Sequence, residues 1–184
     1  SLQSNTSGNY NTALGAGSLN LNTAGYSNAA LGNAALDDNL VGHSNSGLGS
    51  YALRNNVDGD SNTGIGQDAL YTATTGNANT GVGSKASYDI STGSYNTAVG
   101  QSSLKVLGTG SYNTALGYNT GVATGGSGFT NTTAVGNSAV VAASNQIRLG
   151  NSVITEIGGY EPWTDLSDGR YKRDVNENVP GLAF

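Results

Sequence analysis

Seven glycines, Gly15, Gly32, Gly49, Gly66, Gly83, Gly100 and Gly117, follow one another at steps of 17 residues without a break. A second series, Gly8, Gly25, Gly42, Gly59, Gly76, Gly93 and Gly110, keeps the same step. So does a third, Asn11, Asn28, Asn45, Asn62, Asn79, Asn96 and Asn113. The residue before each closing glycine is aliphatic: Leu14, Leu31, Leu48, Ile65, Val82, Val99 and Leu116. Before that stands Ala or Gly, from Ala13 to Ala115. Four residues after the glycine comes Leu19, Leu36, Leu53, Leu70 or Leu104, with Ser87 breaking the series. A chain with several fixed positions at one period is a stack of copies of one small unit, not a linker. Beyond Gly117 the step changes to 19 at Gly136 and 14 at Gly150, which reads as a longer and a shorter copy.

The unit is not helical. Each glycine in a helix interior costs about 1 kcal/mol, and every copy carries at least two. The stretch Asn-Thr-Ala-Leu between glycines fits a strand of four or five residues with turns at both ends. The expectation is an all-β parallel solenoid with 17-residue coils. Rungs about 4.8 Å apart would make a rod of roughly 40 Å. The recurring Asn would form a ladder, each amide bonded to the one above and below. The glycines would supply positive-φ turns or close backbone approach.

Leu, Ile, Val and Phe make up about a fifth of the chain, near the level of disordered proteins. Successive strand residues face opposite sides, so Ala13 and Leu14 point apart and both are apolar. One face can fill the coil; the other needs a partner surface, and oligomerisation is the economical remedy.

Other function classes fall away. With no cysteine there is no disulfide framework and no thiolate or cysteine-metal chemistry. Two prolines exclude collagen. A net charge of −5 argues against nucleic acid. No apolar run reaches about 18 residues, so no helical membrane insertion by this segment is expected. The absence of Met, even at residue 1, reads as a processed or excised piece. The glycines lack the Gly-x-x-x-x-Gly-Lys phosphate pattern, and Gly125-Gly126-Ser127-Gly128 lacks the aspartates of a calcium roll. No cofactor or metal is expected. Asp37/Asp38 and Asp58/Asp60 read as solvated turn residues, and His43 as an occupant of a variable position. Asn5-Thr6-Ser7 and Asn131-Thr132-Thr133 are sequon-like runs of the kind so Asn/Thr-rich a chain contains. Tyr10, Tyr26, Tyr95 and Tyr112 lie just before the fixed Asn. They either pack over glycine or form an exposed ladder able to grip a glycan.

The Asn-Thr-Ala-(Leu/Val)-Gly-x-x-(Ala/Ser)-Leu units resemble the heads of trimeric autotransporter adhesins of the YadA-like type, over roughly residues 5–158. The resemblance implies a left-handed parallel β-roll, three chains around one axis, and a head or shaft domain at 1–158. The family's repeat is shorter, so the extra residues are expected in an outer loop, for example Asn20–Ala24 or Arg54–Asp58.

The repeat stops after Gly150 and charge density rises. The run Ser167-Asp168-Gly169-Arg170-Tyr171-Lys172-Arg173-Asp174-Val175 is similar to the opening of the endosialidase-type intramolecular chaperone that ends many phage tail fibres and bacterial surface fibres. Asn145 to Asn151, Ile157-Gly158-Gly159 and Trp163 also look like the approach to such a domain. The resemblance implies a neck at 159–166, with Trp163 plugging the trimer's end. It implies a truncated, helix-forming chaperone start at 167–184, and one self-cleavage at Ser167 assisted by Lys172 in a full-length parent. Serine needs a base to become a nucleophile, and a desolvated lysine can serve. Asp168 and Arg170 read as structural. The implied function is a trimeric fibre segment, extracellular, on a bacterial surface or a phage tail. It would attach to a glycan or cell-surface ligand and is not itself an enzyme. The alternatives are a passive shaft spacing a distant tip and, disfavoured for want of converging carboxylates, a glycan-degrading tailspike.

Overall fold

The computed structural model describes residues 1–157 apart from 124 and 126. The chain divides into two units, Ser1–Val153 and Ile154–Phe184. The first is a parallel β-solenoid, and every regular element among the described residues is a strand. The strands in chain order are β1 (Thr12–Leu14), β2 (Ala29–Leu31), β3 (Ser46–Leu48), β4 (Thr63–Ile65), β5 (Thr80–Val82), β6 (Asp89–Ile90), β7 (Thr97–Val99), β8 (Val106–Gly108), β9 (Thr114–Leu116), β10 (Gly121–Val122), β11 (Thr133–Val135), β12 (Val140–Val141) and β13 (Ile147–Leu149). Nine of them form one sheet in the order β1-β2-β3-β4-β5-β7-β9-β11-β13. Two short pairs, β6 with β8 and β10 with β12, line another side of the later coils.

Pairing is parallel and in register, Thr12 with Ala29, Ala13 with Ala30, Leu14 with Leu31, and so on upward. The steps of 19 and 14 are a longer and a shorter coil of the same sheet, because β11 pairs with both β9 and β13. The strands are three residues long rather than four or five. The flanking Asn and Gly are spent on side-chain bonding and on the turn.

The middle strand residue points inward. Ala30, Ala98 and Ala115 are buried, and Gly47, Gly64 and Gly81 occupy the same place. Behind them Leu19, Leu36, Leu53, Leu70 and Leu104 fill the coil and are buried. These leucines sit at left-handed φ, between 45° and 53°. That conformation costs roughly 1–2 kcal/mol for an L-residue. Burial of the leucine, at about 1.5–3 kcal/mol, offsets it, and the left-handed turn is what aims the side chain inside.

The two glycine series do different work. Gly15 and its successors to Gly117 have φ between 125° and 140°, a region closed to side chains. Gly25 and its series have ordinary φ, but a Cβ on Gly25 would lie 2.4 Å from both the Gly42 carbonyl and Asn22 Oδ1. They permit close stacking of backbones.

The Asn11 series is buried from Asn28 to Asn113. Its main bonds are not amide to amide. Asn28 Oδ1 accepts the backbone N–H of Asn45 at 2.9 Å, and Asn28 Nδ2 donates to the Gly42 carbonyl at 2.8 Å. Each side chain thus bridges its own coil to the backbone of the next. Amide-to-amide bonds join in only higher up, from Asn79 to Asn62 at 3.1 Å through Asn113 to Asn96 at 2.9 Å. Thr132 ends the series by donating to Asn113 Oδ1 at 2.6 Å.

A continuous amide ladder exists elsewhere, in Asn5, Asn22, Asn39 and Asn56, each Nδ2 donating to the Oδ1 of the Asn below it at 2.8 Å. The segments Asn20–Ala24 and Arg54–Asp58, expected as an outer loop, are turns that expose Leu21, Ala24 and Asp58 but send Asn22 and Asn56 inward, where both are fully buried. The ladder then gives way to Ala73, Ile90 and Leu107, all buried. The change coincides with Ser87 in the leucine column. Ile90, three residues on, supplies in that coil the bulk that Ser87 lacks.

Candidate interaction surface

The outer residues of each strand form the surface with the strongest chemistry. Thr or a small residue precedes the inward position and an aliphatic residue follows it, so both project from the same sheet face. Leu14 is 66% exposed, Leu31 43%, Leu48 44% and Leu116 49%. Ile65, Val99 and Leu149 are exposed as well. Across nine in-register strands these side chains make one apolar column beside a column of Thr, Ala and Ser. Between the first three strands runs a shallow groove of about 350 Å³ lined by Thr12, Leu14, Ala30, Leu31, Gly47 and Leu48, among others. A contiguous apolar stripe of this kind marks a contact surface.

The remaining outward positions are mostly occupied with one another. In the column Tyr26, His43, Asp60, Asn77, Ser94, Ser111 each side chain from His43 onward serves the coil before it. Asp60 accepts the backbone N–H of His43 at 2.8 Å, and its other oxygen lies 3.1 Å from His43 Nε2. Asn77 accepts from the N–H of Asp60 at 2.7 Å, and Ser94 from that of Asn77 at 2.9 Å. Tyr26 stacks on His43 at 4.6 Å. Sequence reasoning left His43 and Asp60 as unrelated variable residues; their separation of 17 is the signal that joins them.

A second column runs Asp37, Arg54, Tyr71, Tyr88. Arg54 Nε lies 3.9 Å from Asp37 Oδ2, Arg54 Nη1 donates to the Tyr71 hydroxyl at 2.9 Å, and Tyr71 stacks on Tyr88 at 5.2 Å. The Tyr71 hydrogen bond is the main cause of a raised Arg54 pKa. Partial burial, then the Asp37 charge, raises the Asp38 carboxyl above its ordinary value. Asp37 and Asp38 are therefore not simple solvated turn residues.

Of the tyrosines in the first set, Tyr95 and Tyr112 stack on each other at 5.2 Å and 4°. Tyr10, at 88% exposure, stands free at the first coil. Gly125 and Ser127 lie exposed in the longer coil. Among the described residues no group of three His, Asp or Glu is placed to hold a metal, and no helix is long and apolar enough to cross a membrane. Trp163, Ser167, Asp168, Arg170 and Lys172, with the neck at 159–166 and the segment 167–184, lie outside the described residues.

Compared with known proteins, the chain matches no family model, no curated sequence and no solved structure.

Proposed function

We propose that the solenoid is a segment of a homotrimeric extracellular fibre, a left-handed β-roll carried on a bacterial surface or a phage tail and used for attachment. The observation that carries this reading is the apolar column from Leu14 to Leu149 on one face of a single chain, exposed in most coils and half-buried at Val82 and Val135. Three copies around an axis parallel to the solenoid bury it without leaving a free edge, because a closed cyclic assembly satisfies every copy equally. The resemblance of the repeats to trimeric adhesin heads supports the same number.

The test is Leu48→Asp. Leu48 side-chain atoms face outward, so the variant should keep the solenoid, with its β circular dichroism unchanged, while its mass in solution falls from three chains to one. A variant that remains trimeric removes the sheet face from the interface.

The self-cleaving chaperone rests on the residues Ser167 to Val175. In a full-length parent, Ser167→Ala or Lys172→Ala should leave the chain uncut on a denaturing gel. Normal cleavage in both removes the assignment.

A passive shaft is the second reading. It is favoured by the column Asp60, Asn77, Ser94, whose polar atoms are used within the solenoid rather than offered outward. A glycan array on the isolated trimer separates the two: defined hits support attachment by this segment, and a blank array supports the shaft.

A further inference from the structure

We infer that the tyrosine-bearing edge of the sheet is an intersubunit contact. The corner column at Tyr10 and Tyr95 of one chain packs rung for rung on the opposite corner column, at Gly17 and Ser102, of a second copy. This deepens the trimer reading and rests on it.

The two columns bound the apolar face. The first precedes the fixed Asn and the second follows the closing glycine by two residues. Both stand at left-handed φ in coil after coil: 59° at Tyr10 and 60° at Tyr95, 69° at Gly17, 57° at Lys85 and 57° at Ser102. These sharp corners project their side chains from the two ends of each strand.

Tyr10, Tyr95 and Tyr112 are 88%, 57% and 61% exposed, the largest aromatic surfaces the described residues show. Tyr95 and Tyr112 stack face to face within the chain, which makes those two a rigid pair, while Tyr10 stands alone at the first coil.

Area also favours the edges. A standard interface takes about 800 Å² from each partner. In a cyclic trimer each chain meets two neighbours, so a single column of aliphatic side chains is divided between them and the edges must add to it.

Closure fixes which edges meet. About a three-fold axis parallel to the solenoid, the leading edge of each sheet faces the trailing edge of the next at the same height, and never its own kind. The side chains suit that pairing. Tyr10 falls opposite Gly17, Ser44 opposite Tyr51, Ala78 opposite Lys85 and Tyr95 opposite Ser102, a bulky residue against a small one at four of the seven rungs. Within one chain the intervening strand holds the two columns at its opposite ends, so they do not pack on each other there.

The experiment uses the absence of cysteine from the chain. Ala78→Cys and Lys85→Cys are combined, trimer mass is checked by light scattering, and the protein is oxidised and run on a non-reducing denaturing gel. The expected result is a covalent three-chain species as the major band. Each single variant should stay uncrosslinked, as should the one-rung offset pair Ala78→Cys with Ser102→Cys. A trimer that gives no crosslink with the matched pair overturns the edge assignment and leaves the trimer standing. So does a single variant that crosslinks to dimers, which would place like edges together. A single-chain mass for the unmodified protein overturns both.

Discussion

Asn62 shows how much one side chain carries in this repeat. Its Oδ1 accepts the Asn79 backbone N–H at 2.9 Å, and its Nδ2 donates to the Gly76 carbonyl at 2.7 Å, all of it buried. Asn62→Ala leaves both backbone groups without a partner, at about 1–3 kcal/mol each. Chemical denaturation should show a loss of roughly 2–5 kcal/mol on that basis. The glycines divide in the same way. Gly25→Ala forces a Cβ to 2.4 Å from a neighbouring carbonyl and should prevent the coils from stacking, read as loss of the cooperative unfolding transition. Gly17→Ala meets nothing closer than 3.7 Å, and Ala34 already occupies that place one coil on at φ 50°. Its cost should be limited to the left-handed φ itself, roughly 1–2 kcal/mol. For Asp38 the raised carboxyl pKa means the folded state holds a proton more tightly than the unfolded chain. Stability is lost as pH rises through that folded value. Asp38→Asn should therefore be more stable than the parent at neutral pH. The advantage should vanish below the ordinary carboxylate range, which melting curves at the two pH values would read.

At the scale of the element, the coil was legible where it repeated in every copy. The strand, the fixed Asn and the opposite facing of the small and aliphatic residues follow from seven recurrences and from alternation along a strand; which of the two faces lies inside was not legible, because both are apolar. What escaped were features present in only some coils. The Asn22, Asn39, Asn56 ladder runs through the lower coils and then becomes Ala73, Ile90 and Leu107, so no invariant position announced it. The left-handed leucines were hidden for another reason. Their sequence shows only an apolar residue, and leucine is a poor marker of positive φ. Arg148 pairs in register with the inward Ala134 but is itself exposed, and stacking another coil on it would bury its charge. Arg148→Ala should therefore relax the end of the stack without unfolding it, seen as a melting temperature within a few degrees of the parent.

For the whole assembly, the sequence indicated an unmet need rather than an answer. A chain with about a fifth strongly apolar residues fills its coil with alanine, leucine and asparagine, and still presents a leucine, isoleucine or valine on the outer face of each strand of the main sheet. Polar ladders hold rung to rung along the axis, but they do nothing for that face. The solenoid therefore supplies rigidity and periodicity, and in the proposed trimer the neighbouring chains supply cover. The proposed trimer predicts a specific mass for the isolated protein in solution. Multi-angle light scattering should give about three times the 18.4 kDa of one chain, independent of concentration over the micromolar range. A stable mass of one chain would contradict it.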